Sequence, residues 1–543
     1  MEKADSIIYN ARIYTVDPGR PWAEAVAWAN GRILAVGRNE DVLPLAGPQT
    51  EVIDAGGRLV LPGLTDAHVH FLQYAIRRHQ VSLFGVRDFD EVRRRVAQAV
   101  ASAAPGQWIQ GWGWDENLWN VQPAAHHLDD LAPHHPVVLA RMDMHTWWVN
   151  SAVLRQVGIT AETPDPPESH IERDAAGRPT GLLREWNAIR LVEPYIPTPD
   201  EKTLLTWLRE AQSEAHRLGL TAIHDQRVEQ EGRRSLRLFQ TLRREGQLQL
   251  RVHANLAADY LSEAAALGLQ PGFGDDKLWL GHVKTFADGT MGSRTALMLE
   301  PFEGEPQNVG LAVTPAAELW RLATRARDAG FSLSVHAIGD RAVREVLDVF
   351  SELGPVSEKE LKELRELRSV PSAPLVPPRI EHVQLIHPAD LPRLAALGVV
   401  ASVQPVHLLT DWPTADRVWG ARACTAYAFR SLLDQGTRLA FGSDAPVAPF
   451  NPFLGIYAAV TRQDEQGRPA EGWYPQERLT VAEAIHSYTM GPAYLAGKSD
   501  LQGSLTPGKW ADLIMLSGNV FEIPAAEIPH VQVEMIVFDG RIV

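Results

Sequence analysis

Apolar residues change their period along this chain. Near the N-terminus they come in short alternating or continuous runs: Ser6–Val16 (SIIYNARIYTV), Ala23–Val36 (AEAVAWANGRILAV) and Glu51–Leu61 (EVIDAGGRLVL). Asn30-Gly31 and Gly56-Gly57 fall between such runs, where hairpin turns belong. The C-terminal stretch reads the same way, with Ala511–Leu516 (ADLIML), Val531–Phe538 (VQVEMIVF) and a turn signal at Asp539-Gly540. The two ends together predict one small β-sandwich domain, residues 1–62 with 500–543.

Between them the pattern becomes strand, helix, strand. Strands are expected at Gly63–His70, Leu220–Asp225, Leu248–Leu256, Leu278–Asp288, Phe331–His336, Arg379–Leu385, Val399–Gln404 and Arg438–Gly442. Helical patterns such as Pro315–Ala329, Asp340–Leu353 and Asp390–Leu397 separate them. Eight strands alternating with helices predict an α/β fold, a (β/α)8 TIM barrel spanning residues 63–499. No glycine-rich phosphate loop follows a strand, which disfavours an open doubly wound sheet. The gap from Phe71 to Leu218 is too long for a βα connection and predicts an inserted subdomain, 71–218. It holds Trp108, Trp112, Trp114, Trp119, Trp147, Trp148 and Trp186. These predict either an additional hydrophobic core or a lid with an aromatic wall over a substrate pocket. Thr163–Pro167 and Gly177–Gly181 mark turns within it. Ser357–Pro378, charged and then Pro-rich, predicts a helix end and a surface loop.

Composition narrows the class. The chain has 543 residues, 45% apolar and 22% charged, as a globular protein does. Its net charge of −15 is a poor match for nucleic-acid phosphates. One cysteine, Cys424, rules out an intrachain disulfide and a Cys-rich zinc site. Neither a secretory signal nor a membrane-spanning run is visible, so a large soluble cytoplasmic protein is expected, with a homodimer as the prior.

The chemistry sits at the expected strand ends. In His68-Val69-His70 the two imidazoles, at i and i+2 of a strand, face the same side and can reach one metal. His336, His382 and Asp444 end three further strands, where barrel enzymes place catalysis. Taken singly, each histidine has a plain reading as a hydrogen-bonded core residue, and Asp444 as a helix cap. Lys284 lies inside the apolar run LWLGHVKTFAD. A lysine buried there needs a partner or a lowered pKa. Either it pairs with Asp288 or Glu381, or its neutral amine captures carbon dioxide as a carbamate that bridges two cations.

This set resembles the amidohydrolase superfamily, in its binuclear form, and Gly508–Ile514 (GKWADLI) resembles the family's return into its sandwich. LPGLTDAHVH (61–70), HTWWVNS (145–151), VKTFADGTMGSRT (283–295), HAIGD (336–340) and GSDAP (442–446) are similar to the YtcJ-like branch, which includes N-substituted formamide deformylases. The resemblance implies that His68, His70 and Asp444 bind one divalent metal ion, that His336 and His382 bind a second, and that carboxylated Lys284 bridges them. It further implies hydrolysis of a C–N bond in an amide, formamide or cyclic amide by metal-activated hydroxide, with Asp444 as general acid and base. Zinc suits such ligands; manganese, iron or cobalt are alternatives.

The surrounding residues are less determined. His145 is a candidate for binding the substrate carbonyl; Trp114, Trp147, Asp288, Arg294 and His224 are candidate substrate-binding or supporting residues. Asp340 is expected to cap the helix after His336. Asp115 and Glu116 either line an entrance or face solvent. Three other functions stay open: a deaminase with one metal, an esterase or lactonase, and a non-catalytic metal-binding barrel. The deaminase fits poorly, because it calls for a Glu soon after the fifth-strand histidine and Ala-Ile-Gly-Asp follows His336.

Overall fold

The computed structural model describes residues 3–119, 121–142, 146–167, 169–227, 231–354 and 376–543. His145 and most of Ser357–Pro378 lie outside these residues. Eight parallel strands form one sheet in chain order: β1 (Leu64–Val69), β2 (Leu220–Asp225), β3 (Arg251–Ala257), β4 (Leu278–Phe286), β5 (Leu333–Ala337), β6 (Arg379–His382), β7 (Val400–Val403) and β8 (Leu439–Phe441). This is the expected TIM barrel. Its strands are buried almost throughout, as parallel strands covered on both faces must be. The helices around it are amphipathic. In Asp340–Leu353 the residues Ala342, Val343, Val346, Leu347, Val349 and Phe350 are buried, while Arg341 and Asp348 are exposed.

The sheet's two edges, β1 and β8, meet at their carboxyl ends. Asp444 N donates to His68 O at 2.6 Å and His70 N donates to Ala445 O at 2.9 Å. The buried Asp66 carboxylate joins the same seam, accepting from His68 N at 3.0 Å and Ser443 N at 3.1 Å. Burial pushes its pKa up to about 6, against the pull of those donors. Gly442 belongs to this seam for a steric reason: a Cβ there would stand 2.4 Å from His68 N.

Both termini build two sheets of the sandwich. Ser6–Tyr9, Ala25–Ala29, Arg32–Gly37 and Glu51–Asp54 form one. Arg12–Tyr14, Trp22–Ala23 and Leu59–Pro62 join Leu513–Leu516, Val533–Phe538 and Arg541–Ile542 in the other. Ile8, Ile13, Val26, Trp28, Val60, Leu513, Met515 and Val537 pack together as part of its core. Arg251 of β3 links barrel to sandwich: fully buried, it pairs with Asp512 at 2.5 Å and lies 3.8 Å from the Trp510 ring centre. Burial opposes its charge, but Asp512 and Asp539 offset this and raise its pKa. Removing one partner of a buried pair strands the other charge, so Asp512→Ala should cost about 3 kcal/mol in urea unfolding. A loss below about 1 kcal/mol would show that Asp539, at 3.3 Å, satisfies Arg251 alone.

Residues 72–208 form a second compact unit. Its sheet runs, in spatial order, His170–Arg173, Pro179–Arg184, Thr146–Val149, Val137–Arg141, Ile109–Trp114 and Val81–Ser82. Both faces are covered. Leu139, Trp148 and Leu182 enter one core with Trp114 and Trp119; Val138, Val149 and Leu183 enter another with Trp108. Of the two expected readings, the additional hydrophobic core therefore holds for Trp108, Trp114, Trp119 and Trp148. Trp114 is fully buried, donating from Nε1 to Leu139 O at 2.7 Å, and has no surface to offer a substrate. Trp147 is half-buried and lines a cavity of about 140 Å³ with Arg77 and Trp112. Asp115 and Glu116 both pair with Arg141. No helix among the described residues is long and apolar enough to cross a membrane.

Candidate metal centre

The carboxyl ends of the strands carry the proposed chemistry. His68 lies in β1 and His70 just beyond it, Lys284 in β4, His336 in β5, His382 at the end of β6, and Asp444 three residues past β8. The backbone turns sharply at two of these places: φ is 74° at His382, 44° at Val383 and 60° at Asp444. A β-branched residue such as Val383 is costly in that left-handed region, and such cost is met at sites where a side chain must be aimed.

Asp444 is the point of convergence. Its Oδ1 lies 3.3 Å from both His68 Nε2 and His70 Nε2, and its Oδ2 lies 3.9 Å from His407 Nε2. The ring centres of His68 and His382 are 4.9 Å apart, and those of His336 and His382 are 4.5 Å apart. Donor atoms of His68, His70 and Asp444 lie within 4.8 Å of one another, and so do those of His382, His407 and Asp444.

Oxygen acceptors decide the tautomers of three imidazoles. His68 Nδ1 lies 2.5 Å from Glu381 Oε2, His336 Nε2 lies 2.9 Å from Gly289 O, and His382 Nδ1 lies 2.7 Å from Gln404 Oε1. Gln404 is itself oriented, since its Nε2 donates to Ser402 O at 3.2 Å. Neutral histidines so engaged carry the hydrogen on the bonded nitrogen and a lone pair on the other. For His68 the other nitrogen is the buried Nε2, 3.3 Å from Asp444 Oδ1. Burial opposes the charge of this ring, but Glu381 and Asp444 raise its pKa, so a cation binding at Nε2 would displace a proton. A lone pair on one nitrogen and an oxygen acceptor on the other is how metal-binding histidines are held, so these residues fit a divalent cation.

Burial and neighbouring charge set the protonation states. Burial lowers His336 to about 3 and holds His382 well below the usual imidazole value, keeping both neutral. Burial opposes ionisation of Asp444, but His68 and His70 hold its pKa well below the usual carboxylate range. Burial lowers the Lys284 amine to about 8, against the pull of Glu381 and Asp444. Its Nζ sits 4.6 Å from the Phe286 ring centre.

A buried polar layer supports this group. Glu381 receives His68, Ser334 at 2.6 Å and Arg379, and Arg379 also donates to Ala67 O at 2.6 Å and Ser402 Oγ at 2.5 Å. His224 belongs to this layer, with Nδ1 3.1 Å from Arg379 Nη1 and its ring 4.4 Å from that of His253. Asp288 accepts three backbone N–H groups, from Leu297 at 2.9 Å, Ile338 at 3.0 Å and Gly339 at 2.9 Å. It therefore ties the loop after β4 to the loop after β5. Burial pushes its carboxyl up to about 7 despite those donors. Arg294 pairs with Glu305. Asp340 does not cap its helix as expected: Gly339 is the cap, and Asp340 Oδ1 accepts from Leu299 N at 2.9 Å. His407, Gln384, Gln404 and Arg379 were not anticipated. The runs RIEH and SVQPVH at the ends of β6 and β7 were the available signals.

An eight-stranded parallel barrel with imidazoles, a lysine and a carboxylate gathered at its carboxyl face defines a class, and comparison names it. The chain belongs to the amidohydrolase family, whose profile matches residues 51–543. It is 30% identical to the putative amidohydrolase YtcJ of Bacillus subtilis over 99% of both chains. It is 29% identical to an N-substituted formamide deformylase of Arthrobacter pascens over 99% of this chain and 97% of that one. It is 33% identical to Protein LONG AFTER FAR-RED 3 of Arabidopsis thaliana, over 96% of this chain and 88% of that one. Among solved structures, a metal-dependent hydrolase of Pyrococcus horikoshii superposes with a TM-score of 0.77 at 27% identity, covering 96% of this chain and 99% of its own.

Proposed function

We propose that this protein is a metal-dependent hydrolase of a carbon–nitrogen bond in an amide, formamide or cyclic amide. What supports the reading most is the set of imidazoles held with an oxygen acceptor on one nitrogen and a lone pair on the other, around one ionised carboxylate. Likeness to a formamide deformylase over nearly the whole chain points to the same bond class. His68, His70, Lys284, His336, His382 and Asp444 would hold two divalent ions, zinc in the first instance, with carboxylated Lys284 between them. Ions so held supply Lewis acidity, polarising a carbonyl and acidifying water.

Asp444 supplies the proton transfer. Its depressed pKa leaves the carboxylate ionised at neutral pH, ready to take a proton from the attacking water. The same carboxyl then delivers the proton to the leaving nitrogen, so no covalent bond to the enzyme is needed. Glu381 fixes the ring of His68, and Gln404 that of His382. Asp288 fixes the loops on either side of His336.

Chelation tests the reading. The purified protein is analysed for metal, screened against N-formyl and N-acyl amines, stripped with a chelator and reloaded with zinc, manganese or cobalt. Hydrolysis should fall by at least about 10²-fold on stripping and return on reloading. A protein that holds no divalent metal, or whose hydrolysis ignores stripping, would overturn the assignment.

A further inference from the structure

Two glutamines and two histidines are exchanged between the ends of β6 and β7. Gln404, just past β7, accepts from His382 of β6 at 2.7 Å. Gln384, two residues beyond His382, reaches the other way and places its Nε2 3.5 Å from Nδ1 of His407, three residues past Gln404. His407 ends the short helix Pro405–His407 and is buried. Its other nitrogen, Nε2, has no hydrogen-bond partner and faces Asp444.

Two buried orphans result, His407 Nε2 and Gln384 Oε1. Leaving a buried polar atom unsatisfied costs about 1–3 kcal/mol, so each calls for a partner. One change gives the oxygen a donor and leaves the nitrogen a lone pair open to a cation. The two ends of a glutamine amide are nearly isosteric, and a half-turn puts Oε1 against His407 Nδ1. Nδ1 then donates to Gln384, and Nε2 is left with a lone pair among donor atoms of His382 and Asp444 that lie within 4.8 Å. Gln384 would then serve His407 as Gln404 serves His382.

We propose that His407 is a further protein ligand to the cation that His382 would hold, on the side facing Asp444, oriented by Gln384. This rests on the reading above that a divalent cation binds there. The test is titration of the stripped full-length protein with cobalt(II), followed by bound cobalt per chain and by visible absorption. His407→Asn should bind one cobalt fewer per chain, or bind it at least about tenfold more weakly, with a changed absorption band. Gln384→Leu keeps the imidazole but removes its partner, and should weaken the same binding by a smaller factor. If His407→Asn matches the parent in stoichiometry, affinity and spectrum, His407 is not a ligand and the proposal fails. If that variant does not fold, Gln384→Leu decides: an affinity equal to the parent's overturns the proposal. A parent protein that binds no cobalt defeats the metal-dependent reading itself, and this proposal with it.

Discussion

Asp444→Asn should lower kcat by about 10²–10⁴-fold while the barrel stays folded and most of the bound metal is kept. The substitution changes little except the chemistry of one group. Asparagine has nearly the same shape, and it tolerates the left-handed φ of 60° found at this position. The backbone N–H that bonds His68 O is unaffected. What disappears is an oxygen able to take a proton and return it, because an amide does neither at neutral pH. The measurements are kcat and its pH profile beside metal content. A kcat within tenfold of the parent's, with the same pH profile, would remove Asp444 from proton transfer.

Replacing Lys284 should have an effect as large for a different reason. Lys284 is the lysine that β4 carries into the barrel, and it is 2% exposed. If its amine holds a carbamate between two ions, Lys284→Ala loses the bridge, the metal pair and turnover together. Acetate should restore part of both, by placing a free carboxylate in the space vacated. Lys284→Met separates chemistry from folding, since it fills most of the space without a charge. Its thermal midpoint should not fall, because it removes an amine whose charge burial already disfavours. Full activity in Lys284→Met would dismiss the bridge.

The barrel is legible in the chain because its strands are short apolar runs ending in residues that have no place in a core. LTDAHV, LSVHA and RIEH each end β1, β5 or β6 on or beside a histidine, and the exception is informative. Lys284 lies in the body of β4, where it could be singled out because lysine is rare inside apolar strands. β7 was expected within Val399–Gln404, but VASV contains no ligand, and His407 escaped notice because it follows that strand only after a helical turn. Gln384 and Gln404 were invisible for another reason. Each serves a histidine on the neighbouring strand, and which strands are neighbours is settled by pairing, not by local sequence. The tryptophans of residues 72–208 show the limit from the other side. An aromatic-rich stretch looks the same in sequence whether it lines a cavity or fills a core, and the burial of Trp114 and Trp148 on one face of a sheet settles that only in three dimensions.

Asp66 has a bearing on how variants of this protein will be read. It fastens the first stave of the cylinder to the last, through amides of the same short segments that present His68 and Asp444. Its loss would therefore misplace two reactive groups without removing either. A survey scored on turnover alone would mark residue 66 as a participant in the chemistry. Expression yield and heat tolerance, scored alongside, would mark it as joinery.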